Sequence, residues 1–169
     1  MPAGNGSVVR RRVLRSSAGS TAGKGLSVRF FFYGTLLAGA DNEASPAVHA
    51  GLGPGRRATI GGRLFALPDP AGWYPALIAD PRGSAVHGEL YRALPSFAAA
   101  DLAAMDAWEE CADDDTGEYR RELLPVTSEG YEFLAQVYVY NAALPADAVP
   151  VPDGDFAAFL AACGLPAYR

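Results

Sequence analysis

Glu109 is the side chain in this sequence best placed to move protons. It closes Met-Asp-Ala-Trp-Glu (105–109), one residue after Trp108 and four after Met105. A carboxylate at the end of an amphipathic helix, beside apolar rings, can sit at a pocket mouth. Desolvation there raises its pKa and suits it to act as a base near neutrality. The same spacing fits a plainer reading, in which Glu109 and Glu110 are a solvated helix end. Asp113, Asp114 and Asp115 read as solvated loop charges, and Asp106 as a local cap or partner.

The other polar residues assemble into no familiar catalytic pattern. There is no GxSxG elbow, P-loop or HExxH. His49 and His87 share no ligand spacing and read as structural. Cys111 and Cys163 form no CxxC or Cys/His pattern, so no metal site is expected; they read as two buried free thiols in a reducing cytoplasm, with a disulfide between them as the alternative. A second feature is "FFYGTLLAG" (31–39), an apolar strand that ends on Gly-Thr. It is either an ordinary strand-ending turn or a backbone bared for a ligand, since Gly34 permits close approach and successive N–H groups can form an anion nest.

Composition narrows the class. The chain has 169 residues and is half apolar, which suits one domain with one core. No apolar stretch approaches the ~20 residues of a membrane span. Residues 1–27 hold five basic residues and no acid, whereas the rest is strongly acidic. Such a body is a poor nucleic-acid binder. Residues 1–27 read as a disordered basic tail, and 28–169 as the folded domain. "RRRVLRSS" is followed by no apolar h-region and is not read as an export signal.

Elements must position these residues. "VRFFFYG" (28–34) predicts a buried strand, and 37–57 a long loop with one short helical turn. Residues 58–67 predict a strand with a bulge or bend at Gly61-Gly62. "PDPAGWYP" (68–75) reads as a turn, 76–80 as a short strand and 85–93 as an alternating one. Ser96 reads as the N-cap of a helix whose apolar face is Phe97, Leu102, Met105 and Trp108. "YRRELLPV" and "EFLAQVYVYN" predict two strands joined by a turn, with Pro125 marking an edge or break. Asp153 reads as the cap of a closing helix that Gly164 and Pro166 stop. Strands, one helix, strands and one helix make an α+β fold, a small curled sheet or barrel.

The ordered set "YGTL" (33–36), "GGRLFAL" (61–67), "YPAL" (74–77), "VHGELYR" (86–92), "MDAWE" (105–109), "YRRELLPV" (119–126) and "AQVYVY" (135–140) resembles the gamma-glutamylcyclotransferase-like superfamily. That superfamily includes gamma-glutamylamine cyclotransferases and plant avirulence-induced-like proteins. The resemblance runs from about Val28 to Tyr140, with "GDFAAFL" (154–160) similar to the tail helix of bacterial members. It implies a small mixed β-barrel flanked by helices. It also implies an enzyme that needs no cofactor or metal and releases 5-oxoproline and an amine from a small gamma-glutamyl substrate. Glu109 is then general base and acid, and the Tyr33, Gly34, Thr35 and Leu36 backbone meets the gamma-glutamyl end. Tyr119 and Arg121 match the family's Tyr-x-Arg and are candidate substrate contacts, with strand packing and an acid partner for Arg121 as the alternative. Tyr74-Pro75 is a candidate pocket wall, and one of Tyr138 and Tyr140 a candidate lining residue. The family places glycine after the glutamate, where this chain has Glu110. A non-catalytic binding module on the same fold is the alternative. The expected protein is cytoplasmic, a monomer or weak homodimer, with no nucleic-acid or membrane partner.

Overall fold

Three consecutive phenylalanines are intelligible only in a strand covered on both faces. In the computed structural model, which describes residues 28–38, 40, 45–112 and 116–169, Phe30, Phe31 and Phe32 are all buried. They lie in β1 (Arg29–Phe32). Phe31 points into one apolar cluster with Ile60, Val86, Val126 and Val137. Phe30 and Phe32 point the other way, into a cluster with Met105, Tyr119 and Tyr138.

Five strands close a barrel around the first cluster. They are β1, β2 (Arg56–Asp69), β4 (Ser84–Arg92), β5 (Tyr119–Ser128) and β6 (Tyr131–Tyr140), with β3 (Gly72–Ala79) and β7 (Val149–Pro150) added along β2. Around the barrel the order is β2-β4-β1-β6-β5, and Thr59 opposite Thr127 joins β5 back to β2. Every pairing is antiparallel except β1 with β6. β2 pairs with β4 up to Gly62 and with β3 from Gly62 on, so the glycine pair marks where one strand changes partners. β5 meets β2 at that one position, so Pro125 lies along an open edge.

Among the described residues, three helices cover the barrel: α1 (Ser45–Ala50), α2 (Ala99–Trp108) and α3 (Phe156–Cys163). α2 starts later than Ser96 implied: Asp101 accepts from the Ala98 N–H at 2.7 Å, supplying the cap from within the first turn. The α3 cap is Asp155, not Asp153; its carboxylate accepts from the Ala158 N–H. Residues 72–75 belong to β3 and are not a turn, because β2 runs on to pair with them. Neither cysteine is the buried thiol expected: Cys163 is exposed, and Cys111 is half-buried against the second core cluster. No helix among the described residues is long and apolar enough to cross a membrane. The tail assigned to residues 1–27 and Asp113, Asp114 and Asp115 lie outside the described residues.

Candidate active site

The backbone after β1 makes a tight turn, closed by the Leu37 N–H donating to the Gly34 carbonyl at 3.0 Å. Such a turn directs the N–H groups of its central residues, here Thr35 and Leu36, away from its own ring. Two contacts hold it from behind. His49 Nε2 donates to the Leu36 carbonyl at 2.9 Å, and the Ala38 N–H donates to Tyr91 Oη at 3.0 Å. Tyr91 in turn donates to the Glu89 carboxylate. The structural role expected of His49 is therefore to brace this loop.

α2 delivers Glu109 to the same place. The helix ends in two bonds, Glu110 N–H to the Ala107 carbonyl (3.3 Å) and Cys111 N–H to the Asp106 carbonyl (2.8 Å). This is the Schellman pattern, which needs a left-handed residue just past the helix. Glu110 fills it with φ 47°, at the position where the resemblance implies glycine. The non-glycine residue keeps the turn, and Glu109 faces the 33–36 loop.

The pocket between them is lined by Phe31, Phe32, Tyr33, Gly34, Thr35, Leu36, Pro75, Glu109 and Tyr138. It holds about 250 Å³ of space, counting its open mouth. As a residue Glu109 is only half-covered, but its carboxylate end is enclosed. Burial, reinforced by the negative charge of Glu118, pushes its pKa up to about 8, while a hydrogen bond from the Thr35 side chain pulls the other way. Glu109 is thus poised to hold a proton at neutrality and exchange it easily.

The remaining candidates divide. Tyr33 is in the wall, its hydroxyl donating to the Tyr138 carbonyl at 2.6 Å. Burial and the neighbouring Glu109 hold that phenol well above its ordinary pKa. Gly34 is also where Pro75 packs: a Cβ there would stand 2.1 Å from Pro75 Cγ. Its bareness therefore serves the pocket wall as well as any ligand. Tyr119 stands behind that wall and donates to the Pro75 carbonyl at 2.6 Å. Arg121 faces α2 and grips Asp106 with two bonds, at 2.8 and 3.2 Å, while Tyr138 Oη donates to the same carboxylate at 2.7 Å. Arg121 and Asp106 therefore tie the helix to the barrel one turn before Glu109. Tyr140 is buried edge-on against Tyr119. Sequence reasoning passed over Glu118, whose charge reaches Glu109 and whose carboxylate accepts from Tyr74 Oη at 2.8 Å. It borders the acidic loop and carries no pattern of its own. His87 lies in a larger cleft that shares only Tyr33 with this pocket. Among the described residues, no three or more His, Cys, Asp or Glu side chains group as metal ligands.

Comparison with known proteins follows the same lines. The family model described as gamma-glutamyl cyclotransferase, AIG2-like, matches residues 30–158. No curated protein matches the chain. Among solved structures, an AIG2-like protein of Mus musculus superposes with TM-score 0.53 at 23% identity, over 70% of this chain and 80% of that one. A structure described as gamma-glutamyl cyclotransferase superposes with TM-score 0.51 at 18% identity, over 75% and 72%. YkqA of Bacillus subtilis gives TM-score 0.60 at 17% identity over 82% of this chain, which spans only 43% of that protein. At these identities the likeness is one of fold: a closed five-stranded mixed barrel with added strands and three helices.

Proposed function

The chain belongs to the gamma-glutamyl cyclotransferase, AIG2-like family, and on that premise we propose that it cyclises a small gamma-glutamyl amide to 5-oxoproline, releasing an amine. One observation carries this reading: the Glu109 carboxylate, enclosed and raised to about 8, hydrogen-bonds Thr35 of the loop that faces it.

The reaction is intramolecular. The substrate's alpha-ammonium gives a proton to ionised Glu109 and becomes a nucleophile. Its nitrogen attacks the gamma-carbonyl carbon, a C–N bond forms, and negative charge collects on the carbonyl oxygen. The N–H groups of the 33–36 loop are suited to receive that charge or the substrate's carboxylate. Glu109 then returns its proton to the departing nitrogen, the original C–N bond breaks, and 5-oxoproline leaves with the free amine. One carboxylate serves both transfers, and curling the tethered chain supplies proximity. Tyr33 and Pro75 form walls; Tyr119, Arg121 and Asp106 hold those walls and the helix in place.

The test is mass spectrometry of gamma-glutamyl amides incubated with the protein. Release of 5-oxoproline supports the reading. Release of glutamate would mean hydrolysis instead, and no turnover of any amide would favour a binding module.

A further inference from the structure

A second cleft opens where β2, β4 and β5 meet the start of α3, and Tyr33 is all that it shares with the Glu109 pocket. It offers about 560 Å³ to water-sized molecules, within the ~300–1,000 Å³ of small-molecule sites. Strand register makes its floor. Arg57 of β2 stands opposite Glu89 of β4, and Thr59 opposite His87. On its other side, Thr59 stands opposite Thr127 of β5. Facing residues, and residues two apart on one strand, share a face of the sheet, so these polar side chains lie side by side.

The walls are fixed backbone. The His87 N–H donates to the Gly154 carbonyl at 2.8 Å, seating the chain before α3 against β4. Gly154, at φ 66°, is pressed close: a Cβ there would stand 2.0 Å from the Ala85 carbonyl oxygen. Leu37 and Ala38 line the cleft from the loop after β1, and Phe156 from α3. Opposite charges that face each other across strands ordinarily pair. Here Tyr91 Oη donates to Glu89 instead. Among the described residues, the side chains of Arg57, Thr59, His87 and Thr127 make no hydrogen bond or ion pair. A free guanidinium presents a fork of donors that matches a carboxylate, and hydroxyls beside it can donate to the same group. Asp155 is committed to capping α3, but Glu89 and Glu129 line the same cleft and attract a positive group. The two charges of an α-amino acid, one carbon apart, suit side chains that face each other at about 5 Å. Leu37, Ala38 and Phe156 supply an apolar wall for the rest of it.

We propose that this cleft is a second ligand site, separate from the Glu109 pocket, that binds a zwitterionic amino acid. Arg57, with Thr59 and Thr127, holds the carboxylate; Glu89 and Glu129 hold the ammonium. Nothing in this binding chemistry depends on the reaction assigned to Glu109.

Titration calorimetry on the full chain tests it with three probes. L-Leucine carries both charges, L-leucinamide lacks the carboxylate, and N-acetyl-L-leucine lacks the ammonium. Leucine should bind about tenfold more tightly than either, the scale of one lost charge-assisted hydrogen bond. Arg57→Met should weaken leucine to the level of leucinamide and leave leucinamide within about twofold of its native affinity. The Arg57 carbonyl that accepts from Ser128 Oγ is kept in that variant, so β2 stays anchored, and an unchanged melting temperature checks this. Thr59→Val, which removes only a hydroxyl, should weaken leucine by less. Glu109→Gln should bind leucine as the native protein does. The proposal is overturned by any of four results: no saturable leucine binding, equal affinity for the three probes, binding that survives Arg57→Met, or binding lost in Glu109→Gln. The last would place leucine in the Glu109 pocket.

Discussion

α2 and α3 end in the same hydrogen-bonded turn with different residues in it. After α3, the Gly164 N–H bonds the Ala161 carbonyl and the Leu165 N–H the Leu160 carbonyl; Gly164 takes the left-handed position at φ 66°. After α2, the bonds are equivalent, but Glu110 occupies that position at φ 47°. An L-residue with a Cβ costs roughly 1–2 kcal/mol more than glycine there. The α3 end only stops a helix. The α2 end carries Glu109, and it is clamped from the previous turn by Arg121 and Tyr138 on Asp106. Local strain is tolerated at the end that long-range contacts hold and that carries the candidate acid–base group.

Exchanging single residues tests whether the two ends differ as described. The largest effect is expected from Glu109→Gln, which keeps size and removes the base. Turnover should fall by about two to four orders of magnitude, whereas Glu110→Gln should stay within about twofold. Steady-state kinetics on an amide that the native protein cyclises decides this; equal losses in both would place the acting carboxylate at the turn instead.

Cutting the clamp comes next. Arg121→Met leaves Asp106 without its cation and should cost about 1–3 kcal/mol in chemical denaturation, with a smaller loss of turnover than Glu109→Gln. A loss of turnover as large would make Arg121 a direct substrate contact.

The pH dependence separates the ends without disturbing the clamp. The folded pKa of Glu109 lies above its ordinary value, so between about 4.5 and 8 the folded state binds more protons than the unfolded one. Stability from this group is therefore present below pH 4.5 and is lost as pH rises through 8. Glu109→Gln should melt higher than the native protein at pH 8.5 and alike at pH 4. In the same window, kcat/KM should rise as Glu109 ionises, with an acid limb near 8.

The smallest effects sit in the turns themselves. Gly164→Ala should lose about 1 kcal/mol, from backbone strain alone, because a Cβ there meets nothing within 4 Å. Glu110→Gly should gain a similar amount with turnover retained. A loss at position 110 would mean that the Glu110 side chain supports the site.

Much of this was legible in the residue pattern. The consecutive phenylalanines announced a buried strand, residues 85–93 read as an alternating one, and Gly164 marked a helix stop. The ordered motifs implied the barrel. Three things were hidden for definite reasons. β3 contains Pro75 and is flanked by turn-forming residues, so only its pairing with the far half of β2 reveals 72–75 as strand. The partners of Arg121 lie 15 residues away on other elements, and no spacing encodes that. Glu118 and Tyr168 reach the neighbourhood of the site through side-chain and tail contacts that leave no periodic trace.

The parallel pairing of β1 with β6 has a kinetic consequence. β1 precedes every other described strand, yet it lies between β4 and β6, with Phe30 opposite Gln136. The hairpins β2–β3 and β5–β6 join sequence neighbours and can form early, whereas seating β1 closes a loop of about a hundred residues, which is entropically slow. During synthesis, β1, which emerges before the other described strands, must wait for β6 before its second edge is filled. The Tyr33–Leu36 turn hangs from the end of that strand. Competence at the site is therefore expected to be the final event of refolding, lagging behind the bulk recovery of sheet.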